Sequence, residues 1–233
     1  MNIQKSINVI IASAALTAVA VGASFAQGNL TPGGADISPA PTNLGGVLIT
    51  SQTSQFTSII NPANYSGNFY AAVYQESSAA NPLGGLTFVW QVSNNGGSND
   101  KIDRFTEDGF TGFQTSAFYS TQAGGLGAGT IAPNSAFRPT ATEVGFRTDN
   151  GAGAGTLLPG DTSDLFIVRT DAPTYKPGAV GILDGDISSA PAYLPSPPST
   201  VPEPATLAPF ALGGLGLLGL IVRKTRWTNG AAA

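Results

Sequence analysis

An all-β domain, folded as a single antiparallel β-sandwich of jelly-roll or Ig-like type, is the fold class that this sequence predicts for its middle. From Gly45 onward, short β-branched or aromatic runs alternate with Gly, Pro and Asn, which is the pattern of strands and turns. No 3.6-residue apolar period is sustained there. One run also alternates cleanly: Leu86, Phe88, Trp90 and Val92 fall on one face and Thr87, Val89 and Gln91 on the other, as a strand requires.

In chain order the strands are expected at residues 47–50, 69–75, 86–92, 113–119, 143–148, 164–170 and 180–183. The breakers between them are explicit. Asn94-Asn95-Gly96-Gly97 follows the Trp90 strand, Gly124-Gly125 leads to Gly127 and Gly129, and Asn150-Gly151 leads to Gly155. Pro159-Gly160-Asp161 is a strong turn signal before the 164–170 strand. Pro177-Gly178 reads as a second turn, so the 164–170 and 180–183 strands are expected to be antiparallel neighbours. The glycine-rich segments lack the Gly-Lys-Ser/Thr ending of a phosphate loop and open no helix.

Both ends of the chain read differently. Residues 1–26 have the three parts of a secretory signal peptide: Lys5 in a polar start, an apolar run at 9–22, and Ser24-Phe25-Ala26 before Gln27. Small residues at Ser24 and Ala26 fit a signal peptidase, so cleavage is expected between Ala26 and Gln27. At the other end, Val201-Pro202-Glu203-Pro204 precedes an apolar run at 207–222, which Arg223, Lys224 and Arg226 close. As a helix this run of 16 residues spans roughly 24 Å, and Ala205 with Thr206 brings it close to the bilayer core of about 30 Å. The prolines hold the motif extended and outside the helix. The basic cluster favours the cytoplasmic side and acts as a stop signal, which leaves everything before the helix on the outer side.

This order of motif, apolar helix and basic cluster resembles the PEP-CTERM sorting signal of Gram-negative bacteria. The resemblance covers residues 201–226 and implies that the chain is a substrate of an exosortase, a membrane-embedded cysteine transpeptidase. It implies Val201, Pro202, Glu203 and Pro204 as the recognition element. It also implies release or attachment at the outer surface, in systems that accompany exopolysaccharide production in biofilm or floc. The portion before the tail, a Pro-Gly turn, a strand and a Gly-containing turn, looks like the family too.

The chain therefore divides into a signal peptide (1–26), an N-terminal linker (27–44), a β-sandwich domain (45–187), a Pro/Ser-rich spacer (188–200), the sorting signal (201–226) and a cytoplasmic tail (227–233). The sandwich is flanked by an N-terminal signal helix and a C-terminal transmembrane helix. The spacer, with Ala190-Pro191 and Leu194-Pro195-Ser196-Pro197-Pro198, is expected to be extended and to lift the domain off the membrane.

Composition narrows the function. Of the 10 bases, Lys5, Arg223, Lys224 and Arg226 lie in the tails, which leaves 6 against all 14 acids and a net charge of −8 for the exported part. No basic patch tracks phosphates, which argues against nucleic acid and anionic lipid as partners. Charged residues are only 10% of the chain, so the surface is built of Ser, Thr, Asn, Gln and Gly. The absence of Cys and His removes disulfides, His-based hydrolases, and His- or Cys-built zinc, haem and iron–sulfur sites.

Carboxylate chemistry and calcium remain. Asp161 with Asp164, and Asp184 with Asp186, place acids two or three residues apart in turns, a spacing that suits either calcium ligation or capping of the turn's own amides. Calcium is the only cofactor expected as a candidate. Glu107-Asp108 and Glu143 are the remaining acids for a glycosidase pair, whose separation decides the mechanism. Tyr65, Phe69, Tyr70 and Tyr74 are close in sequence, as a sugar-stacking platform or as core.

The leading expectation is a non-enzymatic exported protein, handled by signal peptidase and exosortase and associated with exopolysaccharide. A glycan-binding or calcium-assisted adhesion module displayed by the same tail is the alternative.

Overall fold

The structure, a computed structural model, describes residues 28–149 and 156–197. The expected signal peptide, transmembrane helix and cytoplasmic tail lie outside these residues.

The described chain forms eleven strands in two sheets and no helix. They are β1 (Ala40–Pro41), β2 (Val47–Thr57), β3 (Ser66–Gln75), β4 (Thr87–Asn94), β5 (Arg104–Asp108), β6 (Thr115–Ser120), β7 (Ser135–Phe137), β8 (Glu143–Arg147), β9 (Leu165–Thr170), β10 (Thr174–Leu183) and β11 (Ile187–Ser196). The six-stranded sheet runs β1-β6-β9-β4-β3-β2, and the five-stranded sheet runs β11-β10-β5-β8-β7. Every pairing is antiparallel except the short contact of β1 with β6.

The sheets pack face to face through aromatic rings. Phe146 of β8 stacks on Phe166 of β9 with centroids 5.0 Å apart and meets the edge of Trp90 of β4 at 5.8 Å. Phe105 of β5 packs on Phe166 at 5.6 Å. Such pairs each add about 0.5–1.5 kcal/mol beyond the area they bury. Leu86, Phe88, Trp90 and Val92 all enter this core, as their alternation predicts. The opposite face is buried as well. Val89 joins Tyr70, Ala72, Leu165 and Ile167 in a second apolar cluster on the outer side of the six-stranded sheet, with Leu44, Phe118 and Leu126 against it.

Residues 28–44 are part of the domain rather than a free linker. Leu30 is buried, Asn29 and Ile37 bridge to Ser116 and Ala136, and Arg138 donates to the carbonyl oxygens of Leu30, Phe110, Phe113 and Ala141.

The spacer also differs from its expectation. Residues 188–196 pair along their whole length with β10 as strand β11, at the edge of the sheet, where Pro191 and Pro195 are tolerated because no further strand needs their amides. Pro177-Gly178 is not a turn but lies inside β10. That stretch pairs only with β11, since β5 reaches β10 only from Val180 to Leu183. The hairpin turn is Asp184-Gly185-Asp186, with Gly185 at φ +66°. Strands β9 and β10, expected as neighbours, lie in different sheets.

Candidate functional site

A cleft of about 730 Å³ opens on the outer face of the five-stranded sheet. Its floor is one row across the strands: Ile187 of β11 pairs with Leu183 of β10, Leu183 with Arg104 of β5, Arg104 with Arg147 of β8, and Arg147 with Ser135 of β7. Directly paired residues point to the same side of a sheet. Phe105 and Phe146, the neighbours of the two arginines, therefore turn into the core and send Arg104 and Arg147 outward.

Phe137 fixes both guanidinium groups. Its ring lies over Gly145, where a Cβ would clash with it. The guanidinium of Arg147 sits 4.9 Å from the ring centroid and that of Arg104 5.9 Å, as cation–π contacts allow. Arg147 also pairs with Asp36 at 3.6 Å.

Acids and amides rise from the loops at the rim. Ile102 is buried and bridges to Leu157, so its neighbours Lys101 and Asp103 face out. The Lys101 ammonium bridges Asp103 at 2.8 Å and Asp149 at 2.9 Å, and these bonds raise its pKa. Asp184 is pushed up to about 8 by burial first, then by a hydrogen bond and charge from Asp103, and by Asp100. Asp184 thus holds its proton at neutral pH. Asn134 completes the lining. This set of hydroxyl, amide, carboxyl and guanidinium groups suits a ligand rich in hydroxyl groups.

Asp186, next to the cleft, is committed inward. Burial works to raise its pKa, but hydrogen bonds from Ser58 Oγ and the amides of Ile187, Asn61 and Ile60 hold it down to about 2. The amides lie at 2.7 Å (Ile187), 3.0 Å (Asn61) and 3.2 Å (Ile60), and Asn64 Nδ2 is at 3.4 Å. Its carboxylate clasps the 58–64 loop onto the β10–β11 turn.

The four acids considered for calcium are not brought together. Asp161 accepts from the Leu158 amide at 3.0 Å and caps its own turn. Asp164 is buried, which raises its pKa. Asp184 faces Asp103, and Asp186 faces the 58–64 loop. No group of three or more Asp or Glu among the described residues is placed to hold a metal ion.

Glu107 and Glu143 do not form a pair. Glu107 pairs with Val144 and is buried with neither carboxyl oxygen hydrogen-bonded, and burial holds its pKa well above the usual range. Glu143 lies opposite Asp108. The aromatic platform is core instead: Tyr65 and Phe69 are fully buried and Tyr70 nearly so. Tyr65 donates its hydroxyl to the Ile182 carbonyl at 2.9 Å.

Sequence reasoning missed the cleft's arginines. The available signal was Arg104-Phe105 and Phe146-Arg147, two outward arginines beside inward rings among only 6 exported bases.

The residues expected for sorting (Val201, Pro202, Glu203, Pro204), for the stop signal (Arg223, Lys224, Arg226) and for signal peptidase (Ser24, Ala26, Gln27) lie outside the described residues. Residues 200–226 match the family described as the PEP-CTERM protein-sorting motif. The chain therefore carries the sorting signal of an exported exosortase substrate. No curated protein and no solved structure matches the chain.

Proposed function

We propose that this chain is a non-enzymatic protein of the cell surface or extracellular matrix of a Gram-negative bacterium, associated with exopolysaccharide after processing by signal peptidase and exosortase. The observation that carries this reading is the position of the sorting motif. It begins four residues after the last strand, β11, of an all-β domain, so cleavage there frees the folded domain whole.

The arrangement of acids supports a non-catalytic role. Glycoside hydrolysis needs two carboxyl groups about 5 Å or more apart, flanking the bond, whereas Glu107 is sealed in the core and Asp186 is turned onto the 58–64 loop. The lightly charged surface suits life among hydrated polymers.

A second reading, a glycan-binding module displayed by the same tail, is favoured by the Arg104 and Arg147 cleft. The strand direction adds to it. Ser196 lies about 30 Å along β11 from Ile187 at roughly 3.3 Å per residue, so the cleft sits at the end of β11 opposite to the one that leads to the sorting motif. A calcium-assisted version predicts a rise in melting temperature with added calcium, and an unchanged value rejects it.

Enzymatic removal of the polysaccharide from native biofilm tests the main reading. Release of the protein from the matrix into the soluble fraction is expected. Retention in the inner membrane, or a soluble fraction unaffected by the digestion, contradicts it.

A further inference from the structure

Two sheets present four edges, and among the described residues three of them are blunted. β1 is two residues long and ends in Pro41, β7 is three residues long, and β11 carries Pro191 and Pro195. Short strands and prolines are the ordinary protections of a sheet edge. β2 has none of these. It runs eleven residues, Val-Leu-Ile-Thr-Ser-Gln-Thr-Ser-Gln-Phe-Thr, with no proline and no charge.

The outer backbone row of β2 is open over most of its length. No backbone–backbone hydrogen bond from Val47–Thr57 reaches any element but β3 among the described residues; at the far end the Thr57 carbonyl accepts from Ser188 Oγ of β11 at 2.8 Å, which leaves the row open from Ser51 to Gln55. β11 packs beneath both β2 and β3 rather than beside β2. A bulge between Leu48 and Thr50 interrupts only the start of the strand, which leaves eight regular residues from Thr50 to Thr57. Ser51, Thr53 and Gln55 are exposed along it.

We propose that β2 is a self-association edge, on which a second copy of this chain adds its own β2 in antiparallel orientation to form a closed dimer. Charge selects this occupant. The exported part is net −8, so two copies repel through most of their surface, but β2 against β2 brings no like charges together. Edge protection selects the symmetry. β2 adding to β11, β1 or β7 meets proline or too few partners, so head-to-tail growth into a fibre is blocked, and the two-fold pairing of like edges closes on itself. Ser, Thr and Gln face each other across that pair and provide side-chain hydrogen bonds.

The chain has no cysteine, so single cysteines report the contact without background. Ser51→Cys, Thr53→Cys and Gln55→Cys are made separately in the full chain, expressed in its own cells and treated with a short bis-maleimide. Ser189→Cys on β11 is the control. The expected result is a product of twice the chain's mass from the β2 position nearest the two-fold, none from Ser189, and its loss when Gln55→Lys is added to Thr53→Cys. Unchanged melting curves for these exposed substitutions show that folding is kept. Absence of the product at all three β2 positions, equal product at Ser189, or a partner of different mass overturns the proposal.

Discussion

Arg104 and Arg147 stand directly opposite each other across the β5–β8 pair, and both guanidinium groups lie over the ring of Phe137. Two like charges in register normally repel. Here the ring face attracts both, and Asp36 pairs with Arg147. Arg104→Gln changes an outward side chain and is expected to move stability by no more than about 0.5 kcal/mol. It is expected to weaken cosedimentation with the host's own exopolysaccharide several-fold. Phe137→Ala, which removes a buried ring, is expected to cost about 3–5 kcal/mol in denaturant unfolding.

Glu107 makes stability fall as pH rises. Its folded-state pKa is raised by burial, with the Asp108 charge adding to the shift. The folded state therefore binds the proton more tightly than the unfolded chain. That contribution is full below the ordinary glutamate range and is lost as pH climbs through the raised value. Glu107→Leu is expected to stabilise the domain by about 1–3 kcal/mol at pH 8, in line with relief of an unpaired buried polar group, and by less at pH 4. Thermal melts of both proteins across this range check the sign. A gain larger at pH 4 contradicts it.

Asp186 has the opposite sign. Its depressed pKa of about 2 gives stability that is present above the ordinary aspartate range and is lost as pH falls toward 2. Asp186→Ala is expected to lower the melting temperature at pH 7 and to matter little at pH 2. Freed of the clasp, the Ile60 and Asn61 amides are expected to exchange hydrogen roughly tenfold faster at pH 7, as a locally opened loop does.

The Glu76–Arg169 pair tests the outer cluster of the six-stranded sheet. Arg169 Nε lies 2.7 Å from Glu76 Oε2 with both side chains buried. Thr87 Oγ1 donates to the same oxygen at 2.8 Å, and the Gly45 amide donates to Oε1 at 3.1 Å. Glu76→Gln leaves the buried guanidinium without its counter-charge and is expected to cost about 3–5 kcal/mol. The double variant Glu76→Gln/Arg169→Met is expected to recover part of that loss in urea unfolding.

The all-β class and the inward face of β4 were legible because alternation and breakers are local signals. What depended on distant partners was not. Pro191 and Pro195 argue for an extended spacer until β10 is known to run alongside and leave their side of the strand free. Pro177-Gly178 argues for a turn until β5 is seen to stop short of it. The acids behaved similarly: Asp184 and Asp186 flank Gly185 in one turn, yet one faces Asp103 and the other Ser58. The cleft joins residues from five strands, and its row exists only once β5, β8 and β10 are in register. The sorting signal was fully legible, since its chemistry lies in consecutive residues.

Intact mass and fractionation of the native protein from its own cells, beside a variant with Pro202, Glu203 and Pro204 all changed to Ala, test the central claim most directly. The account predicts that the wild type leaves the membrane fraction without the residues beyond the motif, while the variant stays membrane-bound with its C-terminal segment intact. Retention of that segment by both proteins would contradict it.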